Sequence, residues 1–175
     1  MGTNLRTFGG IEPPVPTLGQ NFSSLRLDRF HFSCFDVSGQ KSFRRTWPTY
    51  LATSDALLYV VDVTTQPTRL DESAEEFSRL LGALRPGVPI CLCLHKWDRR
   101  QGSLSADEFT VSIVQNFTQG AIPRPVGPFM LGSHPLTVLM TATPPRTAPE
   151  GMEALVHWLR GVSKSRQPPP GPGAV

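Results

Sequence analysis

At 175 residues and a net charge of +3, the chain has the size of one ordinary domain and lacks the basic excess of a nucleic-acid or anionic-membrane surface. Hydrophobic residues make up 39% and charged residues 18%, which excludes a wholly disordered chain, while 18 prolines gathered at the ends and in one loop point to local irregularity. Cys34, Cys91 and Cys93 are odd in number, lie in apolar runs and lack C-x-x-C spacing, which suits reduced thiols in a cytosolic protein rather than a disulfide framework.

Residues 1–15 carry no periodic pattern and are expected to be irregular. Apolar and polar residues alternate over 22–28 and 30–37 around the turn-forming Asp28-Arg29, predicting an antiparallel hairpin. Continuous apolar runs at 56–61, 90–94 and 136–140 have strand length and predict parallel strands covered on both faces. Between them, residues 70–84 set Phe77, Leu80, Leu81 and Leu84 at helical spacing behind Asp71 and Glu72, acids that favour a helix N-terminus. Residues 106–117 and 150–162 predict two further helices, the last with Met152, Leu155, Val156 and Leu159 as its apolar stripe. Residues 118–135, rich in Gly and Pro, read as a long surface loop, and 163–175 as a disordered Pro-rich tail. Strands alternating with helices specify an α/β fold with a parallel sheet and right-handed crossovers. Cys91, Cys93 and His95 would share one strand face, where buried cysteine ordinarily acts as a small hydrophobe rather than a metal ligand.

The stretch Asp36-Val37-Ser38-Gly39-Gln40 ends the second hairpin strand. There a carboxylate can hold a magnesium shell, a glycine N–H can reach a γ-phosphate, and a glutamine can orient an attacking water, so Asp36, Gly39 and Gln40 are candidates for those roles. Upstream, Thr17 in Pro16-Thr17-Leu18-Gly19 can offer its hydroxyl to magnesium and its N–H to the γ-phosphate, a loop ordered only while that phosphate is present. The strand at 90–94 runs into His95-Lys96-Trp97-Asp98. The Asp98 carboxylate can accept two hydrogen bonds from the guanine N1–H and N2 amine while the Lys96 stem covers the base. The strand at 136–140 runs into Thr141-Ala142-Thr143, whose backbone N–H groups can meet the guanine O6.

These four motifs, in this order, resemble Pro-Thr-(Ile/Val)-Gly, Asp-Val-Gly-Gly-Gln, Asn-Lys-x-Asp and Cys-Ala-Thr of the Arf-like branch of small GTPases in the Ras-like superfamily. Arg44, Trp47 and Tyr50 are similar to its Arg-x-x-Trp-x-x-Tyr pattern, and Ser38 behind Phe35 is similar to the ciliary Arf-like subgroup. The resemblance implies a Ras-like three-layer α/β domain over residues 16–162, a six-stranded sheet with helices on both faces. It implies GTP or GDP with magnesium: Gln40 catalytic, Gly39, His95, Lys96, Asp98, Thr141, Ala142 and Thr143 on the nucleotide, Thr17 and Asp36 on the metal. It further implies effector and regulator proteins that dock on the switch regions and the hairpin between them. Membrane contact would be indirect, with the protein cytoplasmic or peripheral at membranes or the cilium, in vesicle or ciliary trafficking.

The sequence departs from the family pattern in one large respect: no Gly-x-x-x-x-Gly-Lys-Ser/Thr occurs in it, and the Gly9-Gly10 pair has no Lys behind it. Without that loop the β-phosphate loses its nest of backbone donors, a lysine and a magnesium ligand. At about 1.5–3 kcal/mol for each charge-assisted bond, binding weakens by several orders of magnitude. The expectation is therefore an N-terminally truncated switch protein, its first strand and phosphate-binding loop missing, with GTP and magnesium bound weakly or not at all. Family order would put that strand between those at 30–37 and 56–61, and its loss leaves inner strands with unpaired edges. The alternative is a non-catalytic pseudo-GTPase serving as an interaction module. His95 stands where the family has Asn, and Gln20 where it has an aromatic or apolar residue, leaving Phe35 and Tyr50 of an exposed aromatic cluster. Pro144-Pro145 makes the guanine end irregular.

Overall fold

The computed structural model describes residues 15–165 apart from 101, 103, 121–128 and 145–146. The expectations for residues 1–14 and for the tail beyond 165 lie outside the described residues. Two compact units divide the chain, Met1–Arg45 and Thr46–Val175.

In the first unit the alternating pattern forms the expected hairpin. Strands β1 (Gln20–Leu27) and β2 (Phe30–Val37) pair antiparallel with Phe22 opposite Phe35 and Leu27 opposite Phe30. Asp28 closes the turn in the left-handed region at φ 54, a conformation a short polar side chain tolerates. The period of two puts Leu27, Phe30, Phe32 and Cys34 on one half-buried face, while Phe22 and Phe35 point to the other and are exposed. A single helical turn, α1 (Lys41–Arg44), follows.

In the second unit α2 (Trp47–Leu51) leads into the strands β3 (Leu57–Asp62), β4 (Ile90–His95), β5 (Phe129–Leu131) and β6 (His134–Thr141). They lie in the order β3-β4-β6-β5, the first three parallel and β5 antiparallel. Central β4 is the apolar run Ile90–Leu94, buried throughout because it has a strand on either side. The six strands of the described residues thus fall into sheets of two and four, with β3 at an edge of the larger one.

Helix α3 (Pro67–Leu81) starts earlier than its expected position because Pro67, whose fixed φ suits a first turn, opens it. Asp71 and Glu72 consequently lie in its second turn, and the helix has no acid in its first. Its buried stripe is Leu70, Ala74, Phe77 and Leu80, and Gly82 caps its end, so Leu84 is buried beyond the helix rather than in it. Helix α4 (Ala106–Phe117) has the expected bounds, fixed by a reciprocal cap. Glu108 N–H donates to Ser105 Oγ at 3.3 Å and Ser105 N–H to the Glu108 carboxylate at 2.9 Å.

Tyr59 on β3 meets Phe77 of α3 and Phe117 of α4 with ring centroids 5.0 and 6.1 Å away, so both helices cover that face of the sheet. The last helix, α5 (Met152–Ser165), runs three residues past its expected end. At its start Gly151 lies against the Thr141 methyl, which the register with His95 and Asp62 puts on the face opposite Tyr59. The expected loop at 118–135 is not wholly irregular: β5 folds back onto β6 through Gly132 at φ 60.

Candidate functional site

The first unit gathers both switch motifs at one end of the hairpin. Thr17 Oγ1 donates to Asp36 Oδ2 at 3.2 Å, and Ser38 N–H donates to the Gly19 carbonyl at 2.9 Å. Gly19 makes that approach at φ +80, a conformation open to glycine without strain. Two oxygens on adjacent corners of an octahedral magnesium shell, each about 2.1 Å from the metal, lie about 3 Å apart. Thr17 and Asp36 have that spacing, and both are hard oxygen donors, one of them anionic. Ser38, which stands where the family has glycine, is buried, and its Oγ accepts from the Gln40 N–H at 3.3 Å. Arg44 Nε donates to the Gly39 carbonyl at 3.0 Å. Gly39 and Gln40 are themselves exposed.

The second unit carries the base-loop motifs at the C-terminal ends of β4 and β6. Lys96 takes a left-handed conformation at φ 60, which turns the chain from β4 into a 3-10 turn over Trp97–Arg99. Its Nζ reaches back to Asp62 Oδ2 at 2.6 Å at the end of β3. Asp98 lies within this turn, 3.7 Å from Arg99. His95 Nδ1 shares a hydrogen bond with Thr141 Oγ1 at 2.9 Å, and the same buried hydroxyl shares another with Cys93 Sγ at 3.1 Å. His95 thus links the C-terminal ends of β4 and β6 through its imidazole and the Thr141 hydroxyl. Ala142 is also buried; its N–H donates to the Glu150 carbonyl at 3.3 Å and its carbonyl accepts from Glu150 N–H at 2.9 Å. Thr143 is exposed beside it.

Several participants escape a reading of motifs. The Arg100 guanidinium stacks over Trp97 and Phe109 at 5.0 and 5.7 Å and donates to the Leu104 carbonyl, bracing the turn that carries Asp98 against α4. Phe22 stacks on Phe35 across the hairpin at 5.4 Å and supplies an aromatic surface that Gln20 does not. The alternation exposed the Phe22 position in the sequence, but its pairing with Phe35 depends on the strand register.

Burial pushes the Cys91 thiol up to about 12, and burial also raises Cys93 although the Thr141 hydrogen bond opposes it. Both thiols are therefore protonated at neutral pH, the form that does not attack electrophiles. Among the described residues no three His, Cys, Asp or Glu side chains come together as a metal cluster.

Burial raises the Asp62 carboxyl, but hydrogen bonds from Lys96 and Thr64 outweigh it and hold the group below its ordinary value. A depressed folded-state pKa stabilises above the unfolded value near 4 and loses that contribution as pH falls through the folded value. Both side chains are partly exposed, so Asp62→Asn is expected to cost less than about 1 kcal/mol at pH 7. Urea titrations should show the difference from wild type shrinking below about pH 4; a constant difference from pH 7 to pH 3 would contradict the pairing.

The family model of the ADP-ribosylation factor family matches residues 6–160. The chain is 39% identical over 100 residues to ADP-ribosylation factor-like protein 3 of Chlamydomonas reinhardtii, covering 57% of this chain and 55% of that protein. It is 35% identical over 109 residues to ADP-ribosylation factor-like protein 2 of Drosophila melanogaster, covering 61% and 58%. The matches thus span little more than half the length of these relatives. In fold it is similar to the Arl6 BBS3 small GTPase of Trypanosoma brucei, solved with the nucleotide analogue GppNp. The TM-score is 0.63 at 23% identity, over 90% of this chain and 87% of that one. With the matched span running from before the first switch motif to within the last helix, the chain belongs to the ADP-ribosylation factor family.

Proposed function

We propose that the chain acts as a guanine-nucleotide-dependent switch in vesicle or ciliary membrane trafficking. The observation that carries this reading is the Thr17–Asp36 hydrogen bond at 3.2 Å, which joins two motifs at the spacing of magnesium ligands. A bound magnesium ion would neutralise phosphate charge there. Gly39 offers a backbone N–H to the last phosphate, and the exposed Gln40, its own N–H held by Ser38, orients water for attack. Asp98 accepts from the guanine edge and Lys96 lies along the base. His95 and Thr141 hold the base loops, with Ala142 and Thr143 beside the guanine oxygen. Effectors and regulators dock on the switch segments and on the hairpin face bearing Phe22 and Phe35.

Titrating the chain, and any version extended upstream, with guanine and adenine nucleotides in magnesium tests this. A magnesium-dependent preference for guanine is expected, and its absence from both would remove the reading. In the version that binds, Gln40→Leu should slow GTP hydrolysis roughly ten- to a hundredfold without weakening binding; an unchanged rate would remove its role.

A second reading, an interaction module without nucleotide chemistry, is favoured by His95 in place of the asparagine. It predicts partner capture that is insensitive to GTP or GDP, in a chain that folds cooperatively without either.

A further inference from the structure

Asp98 is held from both sides by side chains outside the nucleotide roles assigned above. The turn that carries it has little backbone support of its own. After a lysine at φ 60, Arg99 N–H donates to the Lys96 carbonyl at 2.9 Å and Arg100 N–H to the Trp97 carbonyl at only 3.4 Å. Side chains fix the turn instead. On the near side Lys96 reaches Asp62 at 2.6 Å. On the far side the Trp97 ring packs on Phe109 of α4 with centroids 5.5 Å apart, and the Arg100 guanidinium lies over both rings at 5.0 and 5.7 Å. Its Nη1 also donates to the Leu104 carbonyl at 2.8 Å, tying the turn to the residues that lead into α4. Successive residues of a 3-10 turn project about a third of a turn apart, so pinning Trp97 against α4 sets the direction of Asp98.

We infer that Arg100 is a positioning residue for base recognition, acting through Trp97 and Phe109 to hold the Asp98 carboxylate where it takes both donors of guanine. The inference rests on the guanine-nucleotide reading proposed above. Guanine offers N1–H and an exocyclic N2 amine, and a carboxylate accepts both only while its two oxygens keep one orientation. Hypoxanthine keeps N1–H and lacks the amine. A carboxylate free to swing therefore loses more on guanine than on hypoxanthine, whereas a general loss of fold, or of positive charge near the phosphates, weakens both alike. Arginine suits this place because its planar guanidinium stacks on aromatic faces and still has N–H groups left for a carbonyl.

Equilibrium titration with guanosine and inosine diphosphates in magnesium tests this, on whichever of the full chain and an upstream extension binds guanine nucleotide. Arg100→Ala should lower the ratio of guanosine to inosine diphosphate affinity about three- to tenfold. Phe109→Leu should lower it likewise, and the double variant no further, because both changes break one stack. Arg79→Ala removes an equal charge from a side chain 65% exposed on α3 and should leave the ratio unchanged. The clamp itself is read without nucleotide: the Arg100 side-chain NMR resonances should lie upfield, shielded by the two rings, and move toward ordinary arginine positions in Phe109→Leu. A ratio unchanged in Arg100→Ala, or unshifted Arg100 resonances in the wild type, would overturn the inference and leave the guanine reading standing. A wild type that binds neither nucleotide would overturn that reading, and the inference with it, even with the clamp formed.

Discussion

Phe77→Ala is expected to remove about 3–5 kcal/mol from the stability of the second unit, the range for deleting an aromatic ring from a packed core. Phe77 is fully buried and holds together three elements, with the Tyr59 ring 5.0 Å away on β3 and the Phe117 ring 5.7 Å away on α4. No neighbour can collapse into the space without breaking the edge-on packing that both rings share. Since a domain has only about 5–15 kcal/mol in total, the loss is a large fraction of it. Trp47, Trp97 and Trp158 all lie in this unit, so tryptophan fluorescence in a urea titration reports it directly. The transition midpoint should fall with little change in slope. A companion Phe117→Ala and the double variant should reveal a coupling of about 0.5–1.5 kcal/mol between the rings. Val111→Ala, exposed on the same helix as Phe117, should stay within about 0.5 kcal/mol of wild type. A Phe77→Ala protein as stable as that control would show the aromatic cluster is not the core.

What the sequence disclosed follows from how local each determinant is. The apolar run at 90–94 reads as a covered parallel strand because five consecutive apolar residues suit a strand buried on both faces and are too few for an ordinary helix. The helix at 106–117 is predicted with its observed bounds, while the reciprocal Ser105–Glu108 cap that fixes its start is a finding of the structure. By contrast, β5 is three residues long inside a Gly- and Pro-rich stretch and exists only because β6 offers it an edge. Helices α1 and α2, of four and five residues, are too short to nucleate alone, and no periodicity announces them. The four motifs were legible as an ordered set, yet their partners were not. That the Thr141 hydroxyl lies between Cys93 and His95, or that Lys96 reaches Asp62, depends on which strands become neighbours. Residues 46 and 34 positions apart carry no mutual signal in a single sequence.

Gly151→Ala should be the second severe substitution, with a cost of about 2–5 kcal/mol from steric overlap and backbone strain together. Gly151 has φ +74, and a Cβ there would collide with the Met140 carbonyl oxygen and press on the Thr141 methyl. Relief requires moving either β6 or the start of α5, and both are fixed. Glu150 exchanges two backbone hydrogen bonds with Ala142, while Leu155 N–H donates to the Gly151 carbonyl to begin the helix. The strain therefore falls on Thr141 and Ala142, at the base-loop end of the sheet. Gly161, inside α5, gives the opposite case. It is exposed, a Cβ there meets nothing within 4 Å, and its φ is not in the left-handed region. Gly161→Ala should raise stability by about 0.5–1 kcal/mol by narrowing the unfolded ensemble. One substitution type with opposite signs ten residues apart separates local geometry from any general effect of alanine on α5. If Gly151→Ala melts with or above wild type, α5 does not begin against β6 in the way these contacts require.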